Sequence, residues 1–287
     1  MKKILVTGAN GQLGRSLQAL ASQYPTWEFL FANRETLDIS NQEAVNQYFA
    51  AHQPDACINC AAYTAVDKAE SDEEAAFEQN FIAVLHLSEA SLQHNTQLIH
   101  ISTDYVFDGA GNRPYTEDND TNPQTIYGSS KLKGEAAAID VNDKAIVVRT
   151  SWVYTKEGVN FVNKIKQLMQ DKPSLNVVFD QTGTPTYAPD LAAALLVILS
   201  KVFETPGTNF GGVYHYSNEG VTTWFDFAVA IRELTGSSCE IKPVTSEQFP
   251  APAVRPAYSV LNKEKIKTTF GLSIPYWRNS LEACMKA

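Results

Sequence analysis

The first 150 residues alternate short apolar runs with stretches of helical period. The runs at 4–7, 28–31, 56–59, 98–102 and 145–149 are four or five residues long and mostly apolar, the pattern of strands covered on both faces. Between them Leu13, Leu17 and Leu20 form an apolar stripe, residues 41–52 read as a helix opened by the cap residue Asn41, and Phe77, Phe81 and Leu85 continue the period. Strand and helix in regular succession predict βαβ units, hence an α/β fold with a doubly wound parallel sheet.

After Arg149 the alternation loosens. Helical patterns at 160–170, 190–203, 223–235 and 280–285 are separated by proline-bearing loops, which predicts a smaller, mixed C-terminal region. The expected division is a sheet-bearing domain over 1–151, with parts of 160–216 returning to it, and a second region over 152–287. Pro243, Pro250, Pro252 and Pro256 make that stretch extended rather than helical. The loop 108–123, rich in Gly, Pro, Asn and Asp, is long enough to serve as a lid over a site. No internal repeat or low-complexity tract interrupts the chain.

Composition narrows the function classes. At 287 residues and 44% hydrophobic content the chain can bury a substantial core. Its net charge of −9 and lack of any basic run argue against nucleic acid or an anionic membrane as partner. The run Ile4-Leu5-Val6 is too short for a secretory signal, and the apolar stretch 191–199 is too short to cross a bilayer, so a cytoplasmic location is expected. Cys57 and Cys60 lie on one apolar run where side chains three apart face opposite ways, which speaks against a redox or zinc pair. The five histidines are scattered, and no metal site is expected.

The first run feeds Gly8-Ala9-Asn10-Gly11-Gln12-Leu13-Gly14. Glycines spaced in this way between a strand and an amphipathic helix allow a tight turn, and let backbone N–H groups approach a pyrophosphate at the helix start. A dinucleotide bound in a Rossmann fold is the expectation. Where an acidic residue would hold an unmodified ribose at the end of the second run, the chain has Asn33-Arg34. Arg34 suits a 2′-phosphate, so NADPH is the expected cofactor, with NADH also usable.

Tyr127 and Lys131 stand one helical turn apart, and Ser102 and Thr103 end the fourth run. A tyrosine and a lysine at i and i+4 share a helix face, where the ammonium can stabilise a phenolate and bring a group of ordinary pKa near 10 toward the working range. A hydroxyl at the carboxyl end of a parallel strand faces the crevice where such sheets bind ligands. Thr103, Tyr127 and Lys131 therefore form a candidate proton-transfer set acting beside a dinucleotide.

These motifs, with 61–70 (AAYTAVDKAE), 102–107 (STDYVF), 127–131 (YGSSK), 149–154 (RTSWVY), 180–186 (DQTGTPT) and Arg255-Pro256, resemble the extended short-chain dehydrogenases/reductases over nearly the whole chain. Within that family the likeness is to the reductases of nucleotide-linked 4-keto-6-deoxy sugars. The resemblance implies reduction of dTDP-4-dehydro-6-deoxy-L-mannose to dTDP-L-rhamnose by hydride from NADPH, with Tyr127 as proton donor, Lys131 on the nicotinamide ribose and Thr103 orienting the substrate. It implies Gly11, Gln12 and Leu13 at the pyrophosphate, Asp38 and Ile39 near adenine, and Ala62, Tyr63 and Thr64 along the cofactor. Asp104 and Trp152 would touch the sugar, and Arg255 its diphosphate.

Two other readings share some of these features. A nucleotide-sugar dehydratase or epimerase would keep the glycines and the Tyr/Lys pair, but dehydratases of this type place Asp-Glu after the threonine, and here Thr103 is followed by Asp104-Tyr105. A non-catalytic regulatory subunit, similar to the β subunit of methionine adenosyltransferase, would keep the nucleotide motifs without the chemistry. Some family members resemble a metal-bridged dimer built from glutamates. Ser16 and Pro189 stand in those places, so a monomer or an oligomer without bridging metal is expected.

Overall fold

The computed structural model describes residues 1–286. Its central sheet has six strands, β1 (Lys2–Thr7), β2 (Trp27–Ala32), β3 (Ala56–Asn59), β4 (Gln97–Thr103), β5 (Ile146–Thr150) and β6 (Gly212–His215), in the order β6-β5-β4-β3-β1-β2. Every neighbouring pair is parallel. The chain turns from β2 back past β1 to β3, so the order reverses between β1 and β3, and the crevice at their carboxyl ends is where such a sheet receives ligands.

The longer helices are α1 (Gln12–Leu20), α2 (Gln42–His52), α3 (Ala83–Gln93), α4 (Ile126–Val141), α5 (Phe161–Asp171), α6 (Ala188–Glu204), α7 (Trp224–Thr235), α8 (Glu264–Phe270) and α9 (Trp277–Lys286). Alternation along the strands feeds two cores. Ile4, Val6, Ile58, Ile99 and Val148 pack with Leu13 and Leu17 of α1 and Leu191 and Leu195 of α6. Leu5, Cys57, Leu98 and Val147 pack on the opposite face with Phe49 of α2, Leu87 of α3 and Ala138 of α4. A third core joins α5, α7 and α9 through Ile165, Phe227, Ile231 and Leu281, beside the parallel strand pair Ser174–Val178 and Glu240–Val244.

The doubly wound sheet expected from the alternation is present, and five of its strands match the apolar runs to within two residues. The sixth, β6, was not expected, because Gly-Val-Tyr-His has too little apolar content to stand out. Helix α8 was missed as well, its sequence EKIKTTF burying only Ile266 and Phe270. Helix α9 begins at Trp277, three residues before the expected start, with that indole buried in the first turn. The proline-bearing stretch is free of α-helix but carries a single 3₁₀ turn, Ser246–Gln248.

The loop 108–123 is tied down at Tyr115 and Glu117. Tyr115 N–H donates to the Val260 carbonyl at 2.9 Å, Asn262 N–H donates to the Tyr115 carbonyl at 2.7 Å, and Glu117 accepts from His215 N–H at 3.0 Å. Two main-chain bonds hold it to the segment 260–262, and the Glu117 carboxylate ties it to the backbone of β6. Among the described residues, no helix is long and apolar enough to cross a membrane.

Candidate active site

Two adjoining cavities run along the carboxyl ends of β1, β3 and β4. The first, about 340 Å³, is lined by Gly8, Gly11, Arg34, Asp38, Ile39, Ala62 and Tyr63. The second, about 580 Å³, shares Gly11, Cys60 and Ala62 with it and continues past Gln12, Leu13 and Thr64 to Thr103, Asp104, Tyr127, Lys131 and Trp152. Every residue expected at the site lines one of the two except Gly14 and Arg255.

The glycine loop makes the junction. Gly8 has φ +63°, and a Cβ there would fall 2.6 Å from the Ala61 amide nitrogen, so only glycine lets the loop after β1 pass the loop after β3. Gly11 caps α1 without a side-chain bond, leaving first-turn N–H groups for an anion. Gly14 is set against the Gly8 carbonyl and packs the helix start rather than lining the groove. A phosphate-binding turn at the centre, with an exposed Arg34 at one end and a buried Lys131 at the other, fits an extended dinucleotide.

Helix α4 delivers the tyrosine and the lysine. Thr125 caps it by accepting from Gly128 N–H at 3.0 Å, and Glu70 of the 61–70 motif accepts from Ile126 N–H at 3.0 Å. A Cβ on Gly128 would lie 2.3 Å from the Tyr105 carbonyl oxygen, so this glycine seats the first turn directly on the turn after β4. That contact brings Tyr127 beside Thr103, with the Tyr105 and Tyr127 rings edge-on at 5.5 Å. Asn80, in a π-helical turn over Glu78–Ile82, bonds both the amide and the carbonyl of Tyr63 and donates to Ser130 Oγ, joining the cofactor loop to α4.

The electrostatics differ from the simple expectation. Burial pushes the Tyr127 phenol up to about 12, the Thr103 hydroxyl opposing and the Asp104 carboxylate adding to the rise. Burial brings Lys131 down to about 8, opposed by Glu135. Lys131 Nζ donates to the Ile101 carbonyl at 2.7 Å and lies 3.3 Å from His100 Nε2. One-turn spacing gives the pair a common face, but the lysine reaches back onto β4, and the net shift of the tyrosine is upward with burial as its largest cause. Asp104, buried and accepting from Thr103 Oγ at 3.0 Å, is pushed up to about 6 by desolvation.

Trp152 has φ +48°, an unusual backbone for a bulky residue, and lies flat on Trp224 with ring centroids 3.5 Å apart. Trp224, at the start of α7, and Val159 also line the cleft. Neither was expected, since nothing local in the sequence links them to the motifs. Arg255 sits apart from the cleft lining, its guanidinium donating to Asp67 at 2.7 Å.

The family described as RmlD substrate binding domain matches residues 1–287. A dTDP-4-dehydrorhamnose reductase of Aggregatibacter actinomycetemcomitans is 37% identical over 288 residues, covering 98% of each chain. A solved dTDP-4-dehydrorhamnose reductase from Clostridium acetobutylicum superposes with a TM-score of 0.93 at 40% identity, covering 99% of this chain and 98% of that one. Another from Bacillus anthracis, in complex with NADP, has a TM-score of 0.93 at 36% identity over 100% and 99% of the two chains.

Proposed function

The chain belongs to the RmlD substrate binding domain family, and on that footing we propose that it is an NADPH-dependent reductase of dTDP-4-dehydrorhamnose, forming dTDP-L-rhamnose. The observation that carries this reading is the meeting of Thr103, Tyr127 and Lys131 in one cleft that continues into the glycine-loop groove.

Gly11, Gln12 and Leu13 hold the cofactor pyrophosphate, Asp38 and Ile39 the adenine end, Arg34 the 2′-phosphate, and Ala62, Tyr63 and Thr64 the stretch between. When bound, NADPH supplies the hydride for the C4 ketone of the sugar. Thr103 and Tyr127 hold the ketone oxygen by hydrogen bonds that strengthen as negative charge develops on it. Tyr127 then gives its proton to that oxygen. Lys131 as ammonium holds the nicotinamide ribose and offsets the phenolate left behind, an interaction strengthened by the low dielectric that its own burial reveals. Asp104 and Trp152 position the sugar, and Arg255 exchanges Asp67 for the substrate diphosphate. In the same reading the segment 1–151, with parts of 160–216, carries the cofactor, and the remainder of 152–287 carries the sugar nucleotide.

The test is to incubate the purified protein alone with sugar nucleotide and NADPH, and to follow the absorbance of the reduced nicotinamide. Consumption of one NADPH per product supports a reductase. Turnover without net NADPH loss marks a dehydratase or epimerase, and no turnover marks a non-catalytic subunit.

A further inference from the structure

Behind the cleft a row of polar side chains crosses the sheet. Register places Thr7 opposite Asn59 and Asn59 opposite His100, on the face covered by α4. All three are fully buried. Thr7 Oγ donates to Asn59 Oδ1 at 2.6 Å, and so does Ala61 N–H at 3.1 Å. A backbone N–H can only donate, so these bonds fix which end of the Asn59 amide is oxygen. Asn59 Nδ2 therefore donates to His100 Nδ1, 3.1 Å away.

A neutral imidazole that accepts at Nδ1 carries its proton on Nε2. Burial and the neighbouring Lys131 both hold His100 neutral, well below the ordinary histidine range. The Nε2–H then points at Lys131 Nζ, 3.3 Å away, while Nζ itself donates to the Ile101 carbonyl at 2.7 Å. An N–H facing an ammonium is repulsive, whereas the same N–H facing the lone pair of an amine is a hydrogen bond.

We infer that His100 is a positioning residue for the proposed reaction: its Nε2–H, oriented by Asn59, favours the amine form of Lys131 and so adds to burial in lowering the pH at which the lysine loses its charge. The other groups facing Lys131 do not supply this effect. On its own helix Tyr127 is neutral, and Glu135 favours the ammonium while it is tied to Arg149 of β5 at 2.7 Å. Cys60, at the end of β3, has its thiol pushed up by burial and stays uncharged, and Asp104 beyond β4 acts on Tyr127.

The pH arm of the test rests on the reductase reading, whereas the spectroscopic arm does not. In the intact wild-type protein, ¹⁵N NMR should show His100 as the Nε2–H tautomer, its signal assigned by its loss in His100→Gln. The Nδ1–H tautomer overturns the inference whatever the protein catalyses. For activity, His100→Leu should move the alkaline limb of kcat/KM upward by about one pH unit. His100→Gln, which can accept from Asn59 and donate to Lys131, should restore the wild-type limb. A limb that stays in place in His100→Leu also overturns it, and if that variant does not fold, the tautomer alone decides.

Discussion

Lys131 Nζ donates to the carbonyl of Ile101 at 2.7 Å, on the strand behind it, rather than to the phenol of Tyr127 one turn away. The lysine is buried and brought down to about 8. The proposed reaction uses the phenol protonated and the lysine charged. A depressed lysine keeps its proton below its own value and loses it above. The kcat/KM for NADPH, which reports the free protein, should therefore be level in mildly acidic and neutral buffer and decline as pH rises through about 8. A profile still flat two units higher would mean that Lys131 carries no such role.

Arg34 is exposed at the far end of the cofactor groove, beside Asn33 and Asp38. Charge-assisted bonds to a phosphate contribute about 1.5–3 kcal/mol, so Arg34→Ala should lower kcat/KM for NADPH by about 10- to 100-fold. The value for NADH should hardly change. Equal losses with both cofactors would place the 2′-phosphate elsewhere.

Trp224 stacks on Trp152 at 3.5 Å with 11° between the rings, and both line the cleft. The stack supports Trp152 in its left-handed backbone. An aromatic pair of this kind contributes about 0.5–1.5 kcal/mol beyond burial, so Trp224→Ala should raise KM for the sugar nucleotide by about 2- to 10-fold. KM for NADPH should stay as it is, and an unchanged sugar KM would show that the wall does not bear on substrate.

Arg255 is held by Asp67, and Asp67 also accepts from Ala253 N–H at 3.3 Å. If the guanidinium leaves this partner for the substrate diphosphate, Arg255→Ala should raise sugar-nucleotide KM by about tenfold or more with kcat nearly kept. Asp67→Asn, which weakens the competing pair, should not raise it. Steady-state kinetics of the two variants checks this, and an Arg255→Ala enzyme with wild-type KM leaves the diphosphate to another group.

Much of this fold is legible in sequence because strands buried on both faces are written as unbroken apolar runs. Strands β1 to β5 are of that kind, and Asn41, Asn160 and Thr223 mark helix starts through their caps. Strand β6 is not legible, because it joins the sheet edge through tertiary pairing with β5. At the site, residues adjacent in the chain could be read together: the glycine loop, Thr103 with Asp104, and Tyr127 with Lys131. Asn59 and His100 could not, since what joins them to Lys131 is the register of parallel strands. The upward shift of Tyr127 is not legible for a related reason: helical spacing predicts a shared face, but neither the burial that raises the phenol nor the bond that takes the lysine to Ile101.

The central claim is that the Tyr127 hydroxyl is the proton donor, and Tyr127→Phe tests it most directly. NADPH affinity, measured by fluorescence titration, should stay within a few-fold of wild type, while kcat for reduction of the sugar nucleotide falls by about 10²- to 10⁴-fold. Turnover near the wild-type rate in that variant, with cofactor binding intact, would contradict the account.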